Sequence, residues 1–190
     1  MSPLSSVTAI TSVHRLHEVS SMAKINLRGD ANNPAFAKAI KSALNLSLPT
    51  EANTCAHAQA ESTVFWLGPD EWLVHTPLDA LQKTLTTLRN ATEPLHAAIT
   101  DVSDYYLVLE LSGPQARSIL ASGTSFDIRT ASFKPGQCAQ TLFGHASILL
   151  WPVDDTPTFC IQVRWSYAQY LFTYLSNSLH NAENLMNFKA

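Results

Sequence analysis

The stretch KINLRG, Lys24–Gly29, decides the fold, because polar and apolar residues alternate along it and stop at a glycine. This alternation predicts a half-buried β-strand. A helix is predicted to follow, with Asn33 as its N-cap, Pro34 at its first position and Phe36 and Ile40 on its buried face. A strand that leads directly into an amphipathic helix indicates a domain that mixes the two kinds of element.

The residues that follow extend this pattern to a β-α-β-β-α-β order. Thr63–Leu67 and Trp72–His75 are predicted strands on either side of the turn Gly68–Glu71. Thr76-Pro77 is predicted to begin a second helix, whose apolar side is a run of leucines at helical spacing. Ala97–Val102 is predicted to be the next strand.

The second half of the chain partly repeats the first. A strand is predicted over Tyr106–Leu111, a short helix from Gly113-Pro114 with Gly123 as its left-handed C-cap, and a type II turn at Phe133–Gly136. The remaining predicted elements are strands at Cys138–Phe143, Ala146–Trp151 and Phe159–Arg164, and a final helix capped by Ser166.

These elements predict an α+β fold with mixed or antiparallel sheets and packed helices. Residues 1–20 are expected to be a flexible N-terminal arm, residues 21–180 a single intertwined domain, and residues 181–190 a frayed C-terminus. The domain has two halves, about 21–103 and 104–180.

Composition narrows the class of protein. The 190 residues carry 12 basic and 15 acidic side chains, a net charge of −3, which disfavours a nucleic-acid partner. Charged residues make up 14%, against about 25% in an ordinary domain, which suggests that another protein covers part of the surface. Three widely spaced cysteines, no evident signal peptide and no long apolar stretch predict a soluble cytoplasmic protein with no membrane partner.

Few residues have the pattern of a catalytic or metal site. Ser21-Met22-Ala23-Lys24 matches the S-x-x-K spacing of serine acylases, but the lysine already belongs to a predicted strand. His14 and His17 could share a helix face as metal ligands, although solvated surface histidines are the preferred interpretation. The four tryptophans could line a pocket, but aromatic residues on strands usually pack the core or an interface.

The polar turn Thr100–Asp104 is the strongest candidate in the sequence for a site that binds or reacts with a ligand. Asp101 could bind a ligand amine through its carboxylate, or it could accept the backbone N–H of Ser103 in an Asx-turn. A single acid without a paired acid, base or metal is weak evidence for catalysis, so the structural role is favoured.

Seven short motifs, read in order, carry a family resemblance. They are Ala23–Gly29 (AKINLRG), Trp66–Leu73 (WLGPDEWL), Asp101–Ser103 (DVS), Leu111–Arg117 (LSGPQAR), Phe133–Thr141 (FKPGQCAQT), Leu150–Trp151 (LW) and Ser166–Leu171 (SYAQYL). Together they resemble the gamma subunits of heterotetrameric sarcosine oxidases. The resemblance implies a fold like the folate-binding domain of the glycine-cleavage aminomethyltransferases.

The resemblance also implies a function. The family's complex demethylates sarcosine oxidatively to glycine, releasing hydrogen peroxide, with the methyl carbon leaving as formaldehyde or passing to tetrahydrofolate. FAD, FMN, NAD, tetrahydrofolate and zinc are then expected on the alpha, beta and delta partner subunits, and none on this chain. No catalytic, cofactor-binding or metal-ligating residue is assigned here.

The sequence therefore predicts an accessory, non-catalytic subunit. The alternative is a standalone folate-binding aminomethyltransferase, although such enzymes are usually much longer. A small hydrolase that uses Ser21 and Lys24 ranks last.

Overall fold

A computed structural model describes residues 8–10, 13–58, 62–129, 131–154 and 157–187. The chain divides into two compact units, Ser21–Ser103 and a second unit made of Met1–Ser20 with Asp104–Ala190. Each unit has its own cluster of buried apolar side chains. The expected halves, about 21–103 and 104–180, have the same boundary as these units, and the single intertwined domain stays a prediction.

Strands and helices alternate in both units. The strands are β1 Thr8–Ile10, β2 Arg15–Glu18, β3 Met22–Arg28, β4 Cys55–His57, β5 Thr63–Gly68, β6 Glu71–Pro77, β7 Ala98–Asp101, β8 Tyr106–Ser112, β9 Ala139–Phe143, β10 Ala146–Pro152 and β11 Thr158–Arg164. The helices are α1 Pro34–Leu44, α2 Leu81–Thr92, α3 Ala116–Ala121 and α4 Ala168–Asn187.

The unit 21–103 has a five-stranded sheet in the order β4-β5-β6-β3-β7, with every pairing antiparallel. Strand β3 has the predicted alternation, since Ala23, Ile25 and Leu27 are fully buried. They share a core with side chains of α1 and α2. The predicted cap of α1 is confirmed, because the Asn33 side chain accepts the N–H of Ala35 at 3.0 Å.

The other unit has a six-stranded antiparallel sheet in the order β1-β2-β8-β11-β10-β9. Its core combines one face of this sheet with α3 and α4. The predicted α+β class with antiparallel sheets is therefore confirmed.

The described residues of the expected N-terminal arm, residues 1–20, include strands β1 and β2. Strand β2 pairs with β8, and Leu16 lies opposite Leu111 with both side chains fully buried. In the segment 181–190, which is expected to fray, α4 continues to Asn187 and Ala182 is buried. Residues 188–190 lie outside the described residues.

Three predicted helix starts are displaced toward the C-terminus. Thr76 and Pro77 end β6, and a short 3₁₀ turn, Leu78–Ala80, precedes α2. Helix α3 starts at Ala116 rather than Pro114, and Ser166 lies inside a 3₁₀ turn before α4. In each case proline or serine marks the approach to a helix, while the first regular hydrogen bonds form one turn later.

Gly123 and Gly136 are required for different reasons, the first for space and the second for its backbone conformation. Gly123 has no positive φ, so the predicted left-handed cap is wrong; a Cβ there would lie 2.4 Å from the Phe143 ring. Gly136 has φ +87° in the turn Lys134–Gln137, where the Gln137 N–H donates to the Lys134 carbonyl. The predicted type II turn is therefore present, one residue further along the chain.

Candidate interaction surface and the Asp101 turn

The Asp101 side chain forms the predicted Asx-turn. Its Oδ1 accepts the backbone N–H of Ser103 at 2.9 Å and the Ser103 hydroxyl at 2.6 Å. The Ser103 oxygen in turn accepts the N–H of Lys24 at 3.0 Å. These bonds fasten the end of β7 to β3, because the Val102 N–H also donates to the Lys24 carbonyl at 2.9 Å. One carboxylate oxygen of Asp101 is thus engaged in holding the chain reversal.

The S-x-x-K pair does not form a nucleophile with its base. Ser21 precedes β3, and its carbonyl accepts the N–H of Leu78 at 2.9 Å. Lys24 lies within β3 and is buried. The helical turn that would bring a serine and the lysine three residues later onto one face is therefore absent here.

The two N-terminal histidines differ in environment. His14 is buried, and its Nε2 accepts the Gln115 N–H at 3.2 Å, which corrects the prediction of a solvated surface residue. His17 Nε2 lies 4.0 Å from a carboxylate oxygen of Glu110 on the neighbouring strand. Within the described ranges, no three His, Cys, Asp or Glu side chains are grouped as metal ligands.

The four tryptophans are divided equally between the two units. Trp72 is fully buried, donates its Nε1–H to the Pro49 carbonyl at 2.8 Å and lies beside Phe36. Trp66 belongs to the same unit, whereas Trp151 and Trp165 belong to the other. Of the four, Trp165 is the one with substantial exposure, 39%.

A cavity that the sequence did not predict lies beside Arg28. It measures about 460 Å³ and its walls include Gly29, Asn32 and His96. The Arg28 guanidinium lies 3.1 Å from Asp70 and 3.5 Å from Glu71. Two carboxylates therefore neutralise this guanidinium, which joins β3 to the β5–β6 turn.

An exposed group of aromatic side chains lies at one end of the six-stranded sheet. We call Tyr105, Arg164, Trp165 and Tyr167 the aromatic surface. Tyr105, Trp165 and Tyr167 are 49%, 39% and 41% exposed. The register brings Tyr105 to Arg164, because Tyr106 pairs with Arg164 and the Arg164 guanidinium lies 5.6 Å from the Tyr105 ring centre. Trp165 and Tyr167 follow Arg164 directly in the short turn after β11.

This composition is typical of protein interfaces. Aromatic residues and arginine are enriched in interface cores and carry much of the binding energy where they are. Exposed aromatic side chains also lack the favourable free energy that burial of their apolar surface would provide. The aromatic surface is therefore the strongest candidate for a contact with another protein.

The sheet arrangement defines the structural class. The chain is similar to glycine cleavage system aminomethyltransferase T from Bartonella henselae, with 14% identity and a TM-score of 0.64 over 84% of this chain and 44% of that one. At this level of identity the likeness shows the fold alone. The chain has an aminomethyltransferase-like fold, as the sequence resemblance implied.

The pattern of the Sarcosine oxidase, gamma subunit family matches residues 28–181, and the chain belongs to this family. The sarcosine oxidase subunit gamma of Corynebacterium sp. (strain P-1) is 26% identical over 165 residues, 87% of this chain and 79% of the relative. A chain of the heterotetrameric sarcosine oxidase from Corynebacterium sp. U-96 has a TM-score of 0.82 and 24% identity, covering 88% of this chain and 84% of that one. The predicted family is confirmed.

A helix that spans a bilayer needs about 20 mostly apolar residues. Across the described parts of the chain, no helix is long and apolar enough to cross a membrane.

Proposed function

We propose that this chain is the accessory, non-catalytic gamma subunit of a cytoplasmic heterotetrameric sarcosine oxidase. Its role is to bind and organise the alpha, beta and delta subunits. The observation that carries the proposal is membership of the gamma-subunit family over residues 28–181.

The reaction proposed for the whole complex is the oxidative demethylation of sarcosine to glycine. Oxygen accepts the electrons and leaves as hydrogen peroxide, and the methyl carbon leaves as formaldehyde or is transferred to tetrahydrofolate. In this proposal FAD, FMN, NAD, tetrahydrofolate and zinc are bound by the other subunits.

Two features of the chain support an organising role. The aromatic surface combines three exposed aromatic rings with the Arg164 guanidinium, which suits a contact with another subunit. Asp101 is the acidic residue that the sequence singled out as a candidate ligand, and its Oδ1 accepts two hydrogen bonds from Ser103. Its position is explained by the turn that it stabilises.

The proposal is tested by expressing this chain with a tag, alone and together with the other three subunits. The chain alone is expected to be colourless and unable to oxidise sarcosine, whereas the co-expressed chain should retain the three partners through purification. Flavin absorbance, oxygen uptake with sarcosine and identification of the co-purifying chains are the measurements.

Two results would contradict the proposal. One is a flavin spectrum or sarcosine oxidation in the purified single chain, and the other is complete loss of the partners during co-purification. A titration of the single chain with tetrahydrofolate completes the test. Saturable binding there would favour a standalone folate-binding aminomethyltransferase-like protein instead.

A further inference from the structure

Three polar side chains meet on one face of the β4–β5 hairpin. Cys55 and His57 are two residues apart on β4, so their side chains share a face. The Cys55 Sγ lies 3.9 Å from His57 Nε2, and His57 Nδ1 lies 2.9 Å from Thr63 Oγ1. The strand register explains the second contact, because His57 is paired directly with Thr63.

The two contacts are compatible with the imidazole tautomer that makes Nε2 a base. When Nδ1 carries the proton it donates to the Thr63 hydroxyl, and the Nε2 lone pair then faces the Cys55 thiol. A nucleophile, a base within reach of it and a third group that orients the base form the arrangement of activated cysteines. Thr63 therefore acts as a positioning residue for His57.

The other two cysteines provide an internal comparison. Cys55 and Cys160 have the same exposure, 8%, and Cys138 has 1%. Burial, followed by the charge of Glu110, raises the pKa of Cys160 to about 12. Cys160 also lies on an interior strand, β11, whereas Cys55 lies on β4 at the edge of its sheet. Cys160 therefore serves as a thiol of equal exposure in a different environment, and substitution of His57 is needed to assign a difference to the imidazole.

We propose that Cys55, with His57 as its proton acceptor, is a thiol that a hydroperoxide oxidises to a sulfenic acid. His57 Nε2 takes the thiol proton, and the sulfur then attacks one peroxide oxygen. The S–O bond forms, the O–O bond breaks, and the leaving hydroxide takes the proton back from His57 as water. The sulfur loses two electrons and the peroxide gains them, so the products with hydrogen peroxide are Cys55 sulfenic acid and one water molecule.

A hydroperoxide suits this site for two reasons. It is small enough for a thiol of limited exposure, and its leaving group needs the proton that the imidazolium holds. The inference rests on the proposed function only for the source of the peroxide, since a sarcosine oxidase would release hydrogen peroxide beside its own subunits. The reactivity itself belongs to the three side chains.

The test uses the full-length reduced chain, hydrogen peroxide as the added oxidant and dimedone to trap sulfenic acids. Peptide mapping by mass spectrometry gives the initial labelling rate of each cysteine in the same molecules. Cys55 is expected to react on the order of 10²-fold faster than Cys160, the contribution of a positioned proton acceptor.

Four variants separate the role of His57 from general effects. His57→Asn should lower the Cys55 rate by about 10²-fold and leave Cys138 and Cys160 unchanged. His96→Asn, which removes an exposed histidine elsewhere in the same unit, should leave all three rates unchanged. Thr63→Val should slow Cys55, and Thr63→Ser, which keeps the hydroxyl, should restore the parent rate.

The proposal is overturned if Cys55 and Cys160 react equally fast in the parent chain, or if His57→Asn leaves the Cys55 rate unchanged. A folding defect has a different signature, because it would accelerate labelling at all three cysteines. The comparison of the Cys55 and Cys160 labelling rates in the parent chain requires no substitution, so it cannot be affected by misfolding of a variant. Since the peroxide is added, the result is also independent of whether the chain co-purifies with other subunits.

Discussion

Asp101 Oδ1 accepts two hydrogen bonds from Ser103, one from the backbone N–H and one from the hydroxyl. The Ser103 oxygen then accepts the N–H of Lys24 at 3.0 Å, so the carboxylate holds the end of β7 against β3 through one intermediate side chain. An acidic residue in a polar turn can therefore be accounted for by the backbone geometry that it supports. The effects of substituting Asp101 and other residues with defined contacts can be measured.

Gly113→Val should destabilise the protein more than Gln115→Ala. Gly113 has φ +125°, and a Cβ there would lie 2.5 Å from a ring carbon of His14 and 2.7 Å from the Val13 carbonyl oxygen. The strained backbone alone should cost about 1–3 kcal/mol. Gln115→Ala keeps the backbone N–H that His14 accepts and should change stability by about 0.5 kcal/mol or less. Urea unfolding midpoints measure both, and equal midpoints would contradict the steric argument.

Trp165→Ser should weaken retention of the other subunits. Removing a large exposed aromatic from the centre of an interface costs about 2 kcal/mol or more, whereas leucine is seldom so important. Leu142→Ser is the matched control, because Leu142 is 59% exposed on the edge strand β9, two strands away from β11 in the same sheet. Quantitative co-purification at several protein concentrations gives the change. Equal loss for the two variants would show that the aromatic surface has no special part in assembly.

Local sequence patterns predicted those elements whose stability is encoded within a few residues. The alternation in Lys24–Gly29 and the Asn33 cap depend on neighbours in sequence, and both are present in the structure. Strand β2 was missed because it contributes one fully buried apolar residue, Leu16, and is completed by pairing with β8, about a hundred residues further along the chain. No local periodicity records such a pairing.

The same distinction applies to the sites. The Asx-turn of Asp101 spans two residues and was predictable from them. The aromatic surface requires the β8–β11 register, which brings Tyr105 and Arg164 together from positions 59 residues apart. The Cys55–His57 contact follows from their spacing on a strand, but Thr63 joins it only through the hairpin register.

Cys160 should make the protein less stable as the pH rises above about 9. Burial and Glu110 raise the pKa of this thiol from 9.0 to about 12, so the folded chain keeps a proton that the unfolded chain has lost. Because the unfolded state binds fewer protons in this range, the free energy of unfolding falls with pH by up to about 1.4 kcal/mol per unit.

Replacing Cys160 with Ser or Ala removes that titration. Both variants should show a shallower decline between about pH 9 and 11 than the parent, whatever their absolute stabilities, since neither side chain ionises there. Urea unfolding at each pH provides the slopes. A decline as steep as that of the parent in both variants would show that this thiol does not titrate with folding.

Asp101→Asn should leave turnover by the assembled complex within a few-fold of the parent. Asparagine retains a side-chain oxygen that can accept the Ser103 N–H, so the Asx-turn survives, while the negative charge is lost. A proton acceptor or an amine ligand needs that charge, and loss of a general base typically costs about 10²–10⁴ in rate. Sarcosine oxidation and folate-dependent transfer of the methyl carbon are the two measurements.

Asp101→Ala separates the structural contribution from chemistry. It removes the acceptor of two bonds that hold the Ser103 corner, and each such bond contributes about 1 kcal/mol, so the free energy of unfolding should fall by about 1–2 kcal/mol. Asp101→Asn should lose less, because it keeps the acceptor. Co-purification must first establish that each variant assembles, so that a folding defect is not taken for lost catalysis. If assembled Asp101→Asn complex loses a hundredfold in either reaction, this side chain takes part in the chemistry and the subunit is not merely an organiser.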